Sequence, residues 1–227
     1  MVLSEKLIAA MISKYIEKDM TLAFGASKHS EKFLTTLALE MEEKEIKVKV
    51  VPTSTRIAAI LASLKMPIAS INDSEIDVAI EFADKVDNGF NYIKRNSTSS
   101  VRDKMIAQEA AEYVVVCEEE NYGKQLTYDL CLEVCPFAIN KTLLQVMSLG
   151  DATHKLKENG QPALSETGNH FINVKIDEVY SVEDIEYMTK RIPGVLETSL
   201  FVGYADRVIL TGNTLTVKSR LTNPELV

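Results

Sequence analysis

The sequence predicts an α/β protein with a doubly wound parallel sheet and a second, smaller α+β domain. In the first half of the chain, short apolar runs typical of buried strands alternate with amphipathic helical patterns, which is the order of parallel βαβ units. In the second half this regular alternation is lost, and a small α+β sandwich fits the pattern better. The 227 residues, 46% of them hydrophobic and 26% charged, can bury a full core.

The predicted elements of the first half follow from hydrophobic periodicity. Helical spacing relates Leu7, Ile8, Met11, Ile12 and Ile16, which predicts a first amphipathic helix. The predicted strands are Met20–Phe24, Ile46–Val51, Pro67–Ile71, Ile76–Phe82 and Tyr113–Cys117. The predicted helices between them run from Phe33 to Lys44, from Ile57 to Leu64 and from Ser100 to Glu112. Short strands with intervening helices predict the doubly wound sheet.

The second half mixes strands and helices in a β-α-β-α order. Its predicted elements are a strand near Cys131–Pro136, a helix from about Lys141, a strand around Phe171–Ile176 and a helix Val182–Lys190. The tail then predicts a hairpin, with strands Arg207–Leu210 and Leu215–Val217 joined by a turn at Gly212 and Asn213.

The charge balance excludes several classes of protein. The chain has 25 basic and 33 acidic residues, a net charge of −8. Nucleic-acid and anionic-membrane binding both require a basic face, so neither partner is expected. An anionic substrate would need a local positive pocket. The sequence contains no apolar run of 18 residues, so no membrane span is expected. A signal peptide is not expected either, because the charged residues Glu5 and Lys6 interrupt the N-terminal segment early.

The cysteines predict a reducing compartment. Cys117, Cys131 and Cys135 are too few and too irregularly spaced for a disulfide framework. No nearby pair of Cys or His residues completes a zinc set with Cys131 and Cys135. We therefore interpret the three cysteines as buried free thiols in a reducing cytoplasm. No metal-ligand cluster is visible in the sequence.

The charged segment from Ile80 to Lys104, IEFADKVDNGFNYIKRNSTSSVRDK, is the first candidate site. It places acids and bases directly after an apolar strand, and open α/β sheets bind ligands beyond the carboxyl ends of their strands. Neighbouring acids and bases there suit proton transfer on a polar substrate. A solvated loop followed by the start of a helix explains the same composition without chemistry.

Several motifs, in order and spacing, resemble the type A ribose-5-phosphate isomerases. EFADKVDNGFNYIK, followed by Arg102, Asp103 and Lys104, is similar to the family segment Asp-Gly-Ala-Asp-Glu-Val-Asp … Ile-Lys … Arg-Glu-Lys. The other matching segments are VPTS at 51–54, TGNHFIN at 167–173, IPGVLETSLF at 192–201 and Ala-Asp-Arg at 205–207. The resemblance covers essentially the whole chain.

The resemblance implies an architecture and an activity. The architecture is a Rossmann-like domain of residues 1–128 and 202–227 with a small ferredoxin-like α+β lid domain of residues 129–201. The activity is the interconversion of ribose 5-phosphate and ribulose 5-phosphate through an enediolate, without metal or cofactor, by a homodimer or homotetramer. By the same resemblance Asp103 is the base, Lys94 the oxyanion partner, and Glu81 with Asp84 opens the sugar ring and orients its hydroxyls. A surface charge is the alternative for each.

The residues expected to hold the phosphorylated sugar lie in several segments. The turn after the first strand leads into a helix, whose N-terminus attracts anions, and it contains Gly25, Ser27, Lys28, His29 and Ser30. The other candidates are Lys6, Thr53, Ser54, Arg95 and Lys124. Helix capping is the alternative for the hydroxyl side chains, and a solvated side chain is the alternative for Lys6.

The chain departs from the family pattern where the chemistry would occur. Its first phosphate-binding turn contains Lys28 and His29 in place of the family's Ser and Thr, and Arg-Asn-Ser-Thr at 95–98 replaces four glycines. Asp103 stands where the family has its glutamate base, and Glu81 stands where the family has its first aspartate. The position of the family's second lysine is occupied by Asn121, with Lys124 three residues later.

The shorter base bears on the rate. An aspartate carboxylate lies roughly 1.5 Å further back than a glutamate carboxylate, and a misplacement on the order of 1 Å can lower a rate about 10²-fold. Reduced activity is therefore a possible consequence. A non-catalytic sugar-phosphate-binding paralogue with a degenerate loop is the alternative function. A third hypothesis, acyl-CoA transfer or amino-sugar phosphate deamination on the same fold, would need a nucleophilic glutamate or a general-base histidine, and no such pattern stands out.

Overall fold

The computed structural model describes residues 4–126, 128–176, 180–212 and 215–220. In chain order the helices are α1 (Glu5–Tyr15), α2 (Ser30–Lys44), α3 (Thr55–Ser63), α4 (Ser100–Glu109), α5 (Ile139–Val146) and α6 (Val182–Lys190). The strands are β1 (Thr21–Phe24), β2 (Lys49–Pro52), β3 (Ile76–Phe82), β4 (Lys85–Val86), β5 (Tyr92–Ile93), β6 (Ala110–Glu118), β7 (Asp129–Val134), β8 (Gly150–His154), β9 (His170–Ile176), β10 (Val195–Thr198), β11 (Leu200–Phe201), β12 (Arg207–Thr211) and β13 (Leu215–Ser219). A short 3-10 helix, Glu119–Asn121, follows β6.

The chain divides into two compact units. The first contains the residues up to Ala83, Met105–Tyr122 and the residues from Tyr204 onward. The second contains Asp84–Lys104 and Gly123–Gly203. The domain limits expected from the sequence, with a lid of residues 129–201, remain a prediction. The second compact unit contains that range and also residues 84–104, 123–128 and 202–203.

The first unit is built on a six-stranded sheet in the order β13-β12-β6-β3-β1-β2. Its strands are parallel except β13, which pairs with β12 as the antiparallel hairpin expected at the tail. The central strands are apolar and almost entirely buried, as expected for a sheet with helices on both faces. This confirms the predicted doubly wound α/β class.

Two helices of the first unit, α1 and α3, form where the sequence supplies both a cap and an apolar face. The hydroxyl of Ser4 accepts a hydrogen bond from the Leu7 N–H and begins α1, whose Ile8 and Met11 are fully buried. The same arrangement begins α3, where the Ser54 hydroxyl accepts from the Ile57 N–H. These apolar faces pack against the sheet in one hydrophobic core.

The second unit has a β-α-β-β-α-β order, which is the ferredoxin-like arrangement. Its four-stranded antiparallel sheet has the order β10-β7-β9-β8, and α5 and α6 pack against it. A second core lies there, formed mainly by β7, β9 and the two helices. A small three-stranded sheet, β11-β5-β4, completes this unit. The predicted ferredoxin-like fold is therefore confirmed.

Two of the predicted elements are corrected by the structure. Pro67–Ile71 is not a strand: only Ile68 bridges to Val50 at the edge of the sheet, and its side chain is half-exposed, so no buried face supports a longer pairing. Helix α4 ends at Glu109 because Ala110 already pairs with Ile76 of β3.

The short strands of the second unit were not predicted from the sequence. They are β4, β5, β8, β10 and β11. Within the described part of the chain, no helix is long and apolar enough to cross a membrane.

Candidate active site

The carboxyl ends of three neighbouring strands bring one group of predicted residues together in the first unit. Phe24, the last residue of β1, pairs with Pro52 of β2 on one side and with Ile80 of β3 on the other. The chain goes from β1 to β2 and returns to the opposite side of β1 as β3, so this edge is a topological switch point, where such sheets bind ligands. Gly25 is the residue after Phe24, and Glu81 is the residue after Ile80, so both lie at this edge of the sheet.

Gly25 and Glu81 are in direct contact. The Glu81 side chain is buried, and its Oε1 accepts the Phe82 N–H at 2.8 Å. A Cβ atom added to Gly25 would lie 1.8 Å from that same oxygen. The glycine is therefore required by the close approach of the carboxylate.

Serine hydroxyls close the turn between β1 and α2. The Ser30 hydroxyl donates to the Gly25 carbonyl at 2.7 Å and accepts the Ser27 N–H at 2.8 Å. The Ser27 hydroxyl accepts the His29 N–H at 3.0 Å. Both hydroxyls thus hold the turn itself, and neither caps α2, whose N-cap residue is His29 without a side-chain hydrogen bond. They shape a turn that leads into the N-terminus of a 15-residue helix.

The two basic side chains of this turn, Lys28 and His29, differ in exposure. Lys28 is exposed, whereas His29 is half-buried beside the Phe82 ring. Burial, and then the charge of Lys28, lower the pKa of the His29 imidazole, which favours its neutral form. Lys6 of α1 is also exposed and lines, with Lys28, a groove of about 760 Å³ between α1 and α2.

Thr53 and Ser54 are buried and bonded within the first unit. The Thr53 hydroxyl donates to the Phe24 carbonyl at 2.6 Å and so ties the end of β2 to the end of β1. Ser54 caps α3, as its alternative interpretation proposed.

The second unit contains a buried ion pair between two other predicted residues. Nζ of Lys94 lies 2.8 Å from Oδ2 of Asp103, and the two side chains are 4% and 3% exposed. Lys94 follows β5, where its N–H donates to the Ser199 carbonyl, and Asp103 lies in the first turn of α4. In a buried pair of this kind each partner offsets part of the cost of burying the other.

Asp84 and Arg95 also meet in the second unit. The exposed Asp84 accepts the backbone N–H of Arg95 at 2.8 Å, while the Arg95 guanidinium pairs with Asp129 at 2.7 Å. The guanidinium is thus held by Asp129, and it is the Arg95 backbone that orients Asp84. Lys124 is exposed in the segment that follows the 3-10 helix.

Two residues of the hydrogen-bond network around Asp103 were not predicted as site residues from the sequence. Ser97, which it treated only as a lost glycine, donates from its hydroxyl to Oδ2 of Asp103 at 2.6 Å. Glu133 is fully buried in β7 and accepts hydrogen bonds from Ser99, from the Val101 N–H and from two side chains of the 165–169 loop, Thr167 and Asn169. A lone carboxylate inside the apolar run LCLEV was the available signal for Glu133.

The environment of Glu133 keeps it ionised. Burial alone raises the pKa of a carboxyl, but the hydrogen bonds from Asn169, Thr167 and the Val101 N–H outweigh it and hold the pKa below its ordinary value. Among the described residues, no group of three His, Cys, Asp or Glu side chains is arranged to hold a metal ion. The three cysteines are free thiols.

Comparison with known proteins identifies similar chains over almost the full length. The family model that matches, over residues 49–214, is described as ribose 5-phosphate isomerase A (phosphoriboisomerase A). A ribose-5-phosphate isomerase A from Prochlorococcus marinus (strain NATL1A) is 31% identical over 91% of this chain and 90% of its own length. One from Pyrococcus horikoshii is 30% identical, with 91% and 93% covered. A solved D-ribose-5-phosphate isomerase in complex with phospho-erythronic acid is 28% identical, with a TM-score of 0.87 over 95% of this chain and 97% of its own.

Proposed function

Because the chain belongs to the ribose 5-phosphate isomerase A family, we propose that it is an isomerase that interconverts ribose 5-phosphate and ribulose 5-phosphate. The observation that carries the proposal is the buried pair of Lys94 and Asp103, a carboxylate base beside a cation. The relatives named above are called isomerases, which gives the non-catalytic alternative no support.

The reaction moves one proton between adjacent carbons. In the open-chain sugar, Asp103 removes the proton from C2, the electron pair forms the C1–C2 double bond of an enediolate, and the C1 carbonyl pair moves onto the C1 oxygen. The proton of the C2 hydroxyl then passes to the C1 oxygen, the C2 carbonyl forms, and the Asp103 carboxyl returns a proton to C1. Negative charge develops on the C1 oxygen, and the ammonium of Lys94 stabilises it. Both described contacts of the Asp103 carboxylate are to Oδ2, so Oδ1 is the oxygen assigned to accept the proton.

The other two carboxylates are assigned to the sugar ring. Asp84, oriented by the Arg95 N–H, and Glu81, held against Gly25, assist in opening the furanose and in orienting its hydroxyls. Each carboxylate accepts a described hydrogen bond from a backbone N–H, Glu81 from Phe82 and Asp84 from Arg95, which orients it within its own unit.

The phosphate is assigned to the turn between β1 and α2. The helix N-terminus attracts an anion, Lys28 supplies a positive charge, and the hydrogen bonds among Ser27, His29 and Ser30 shape the turn that would receive the phosphate. Lys6, on the neighbouring helix, adds a second cation, which matters in a chain with a net charge of −8. Thr53, Ser54, Arg95 and Lys124 remain assigned to substrate contacts.

The test is an assay with ribose 5-phosphate as substrate and ribulose 5-phosphate as product. We expect Asp103→Asn to lower kcat by about 10²- to 10⁴-fold, the range for loss of a general base. Asp151→Asn, an exposed acid of β8, is the matched control and should keep full activity. Turnover that survives in Asp103→Asn would contradict the assignment of the base.

Thermal unfolding with a bound ligand separates binding from catalysis. Phospho-erythronic acid, present in the solved relative, should raise Tm, because a ligand bound only to the native state stabilises it by about 2.7 kcal/mol at 100 times its Kd. A rise in Tm without turnover would favour the binding paralogue. The cytoplasm is the proposed location, in keeping with three free thiols.

A further inference from the structure

We propose that Ser97 is a positioning residue for the base, which holds the Asp103 carboxylate in the orientation that the reaction requires. This inference rests on the proposed function. The Ser97 side chain is 6% exposed, and its Oγ lies 2.6 Å from Oδ2 of Asp103. Lys94 contacts the same oxygen at 2.8 Å. Two donors on one carboxylate oxygen fix the plane of the group and direct Oδ1 to the substrate.

The direction of the Ser97 hydrogen bond follows from its neighbours. A hydroxyl has one proton to donate and two lone pairs to accept with. The Ser99 N–H donates to Ser97 Oγ at 3.0 Å and occupies a lone pair. An ionised carboxylate only accepts, so the Ser97 proton is directed at Asp103. The hydroxyl therefore has a defined orientation before any substrate binds.

Ser97 is itself held by a buried chain of hydrogen bonds that ends at Glu133. The Ser99 hydroxyl lies 3.2 and 3.1 Å from the two Glu133 oxygens and also accepts the Arg102 N–H. Glu133 accepts the Val101 N–H at the start of α4, and the Asp103 N–H donates to the Ser99 carbonyl. The turn of residues 97–101 is thus tied to β7 on one side and to Asp103 on the other.

This arrangement gives Ser97 a role beyond filling space. Each contact is short, charge-assisted or buried, and such hydrogen bonds to an ionised group are about twice as strong as neutral ones. Without the Ser97 hydroxyl, Lys94 is the remaining described donor to the Asp103 carboxylate. The carboxylate is then oriented by one donor instead of two and can rotate about its Cβ–Cγ bond. A misplaced base affects proton abstraction, whereas substrate affinity depends on other groups.

The experiment compares Ser97→Ala, Ser97→Thr and Ser97→Cys with the unchanged enzyme. We expect Ser97→Ala to lower kcat about 10- to 100-fold with KM changed by less than about threefold. Ser97→Thr keeps the hydroxyl and should retain kcat within about threefold, and Ser97→Cys, a weaker donor, should fall between them. Ser148→Ala, which removes an exposed hydroxyl bonded to the Gln145 carbonyl, is the matched control.

A substrate deuterated at C2 separates positioning from folding. A structural defect lowers the active fraction and leaves the isotope effect on kcat unchanged. A displaced base slows the step that breaks the C2–H bond, so Ser97→Ala should show a larger isotope effect than the unchanged enzyme. A kcat within twofold of that enzyme, a loss seen only in KM, or a fall in kcat without a rise in the isotope effect would overturn the inference.

Crystal structures of the unchanged protein and Ser97→Ala supply a readout that needs no turnover. The Asp103 carboxylate should be rotated in the variant, and an unmoved carboxylate would overturn the positioning role. An unchanged protein without isomerase activity would instead overturn the proposed function, so the two failures are distinguishable. If Ser97→Ala does not fold, Ser97→Cys provides the same comparison.

Discussion

Single residues determine how the buried charges of this protein are tolerated. In the Lys94–Asp103 pair, the Ser97 hydroxyl donates a second hydrogen bond to the Asp103 carboxylate. The described contacts of Glu133 include hydrogen-bond donors but no cation. Removing one donor from such a network leaves a buried polar group unsatisfied, which costs about 1–3 kcal/mol. The chemistry and the stability of this region therefore depend on the same few hydrogen bonds.

The substitution Glu133→Gln tests whether the hydrogen bonds to a single buried carboxylate stabilise the fold. The folded pKa of Glu133 is lowered, so its contribution to stability is fully present above its unfolded pKa of about 4.3 and is lost as the pH falls through the folded pKa. We expect the variant to lose about 1–3 kcal/mol of unfolding free energy at pH 7, because an amide NH₂ would face the Thr167 or Asn169 donors.

Urea unfolding at pH 7 and at about pH 3 measures this. The difference in unfolding free energy between Glu133→Gln and the unchanged protein should narrow at the lower pH, where the carboxyl of the unfolded chain is protonated. Glu158→Gln, an exposed acid of the same unit, is the control and should show no difference at either pH. A difference of equal size at both pH values would show that the charge of Glu133 is not what stabilises the fold.

At the scale of elements, the turn between β1 and α2 is the point where backbone geometry and site chemistry meet. The Ser27 and Ser30 hydroxyls hold the turn closed, and Gly25 leaves room for the Glu81 carboxylate. The β1 and β3 strands bring the two residues together because they are neighbours in the sheet. A side chain at position 25 must therefore displace Glu81 or bend the turn.

We expect Gly25→Ala to lower kcat/KM about 10-fold or more while the protein remains folded, since a Cβ there would lie 1.8 Å from Oε1 of Glu81 and the flexible carboxylate must move away. Gly89→Ala is the control, because a Cβ there would approach the Asn91 and Asp87 side chains no closer than 3.1 Å. Steady-state kinetics and Tm would be measured for both. Unchanged kinetics in Gly25→Ala would show that the position of Glu81 is unimportant for turnover.

At the scale of the whole molecule, each compact unit has its own hydrophobic core. The resemblance to type A ribose-5-phosphate isomerases predicts assembly into a homodimer or homotetramer. Sedimentation equilibrium should give two or four times the mass of one chain, at concentrations used for the activity assay. A mass equal to one chain, with full activity, would contradict this prediction and show that a single copy is sufficient for catalysis.

Much of the fold could be predicted because periodicity is a local property. A strand such as Ile76–Phe82 or a helix such as Val182–Lys190 shows its own apolar pattern, and the structure has both with the same bounds. Strands of two residues show no period at all, so β4, β5 and β11 were missed. The segment Pro67–Ile71 has the composition of a strand, but its place at a sheet edge leaves it with one bridge.

By itself, the sequence determined the α/β class, the order of the main elements and the family to which the chain is similar, since each depends on residue types read along the chain. Only the tertiary structure decided which side chains meet. It brought Gly25 into contact with Glu81, and Ser97 into contact with Asp103. It also placed the Glu133 carboxylate where it accepts the N–H of Val101, 32 residues earlier in the chain. The physical reason is that hydrogen bonds between buried groups depend on strand order and on distances of a few ångströms, which no local pattern of residues encodes.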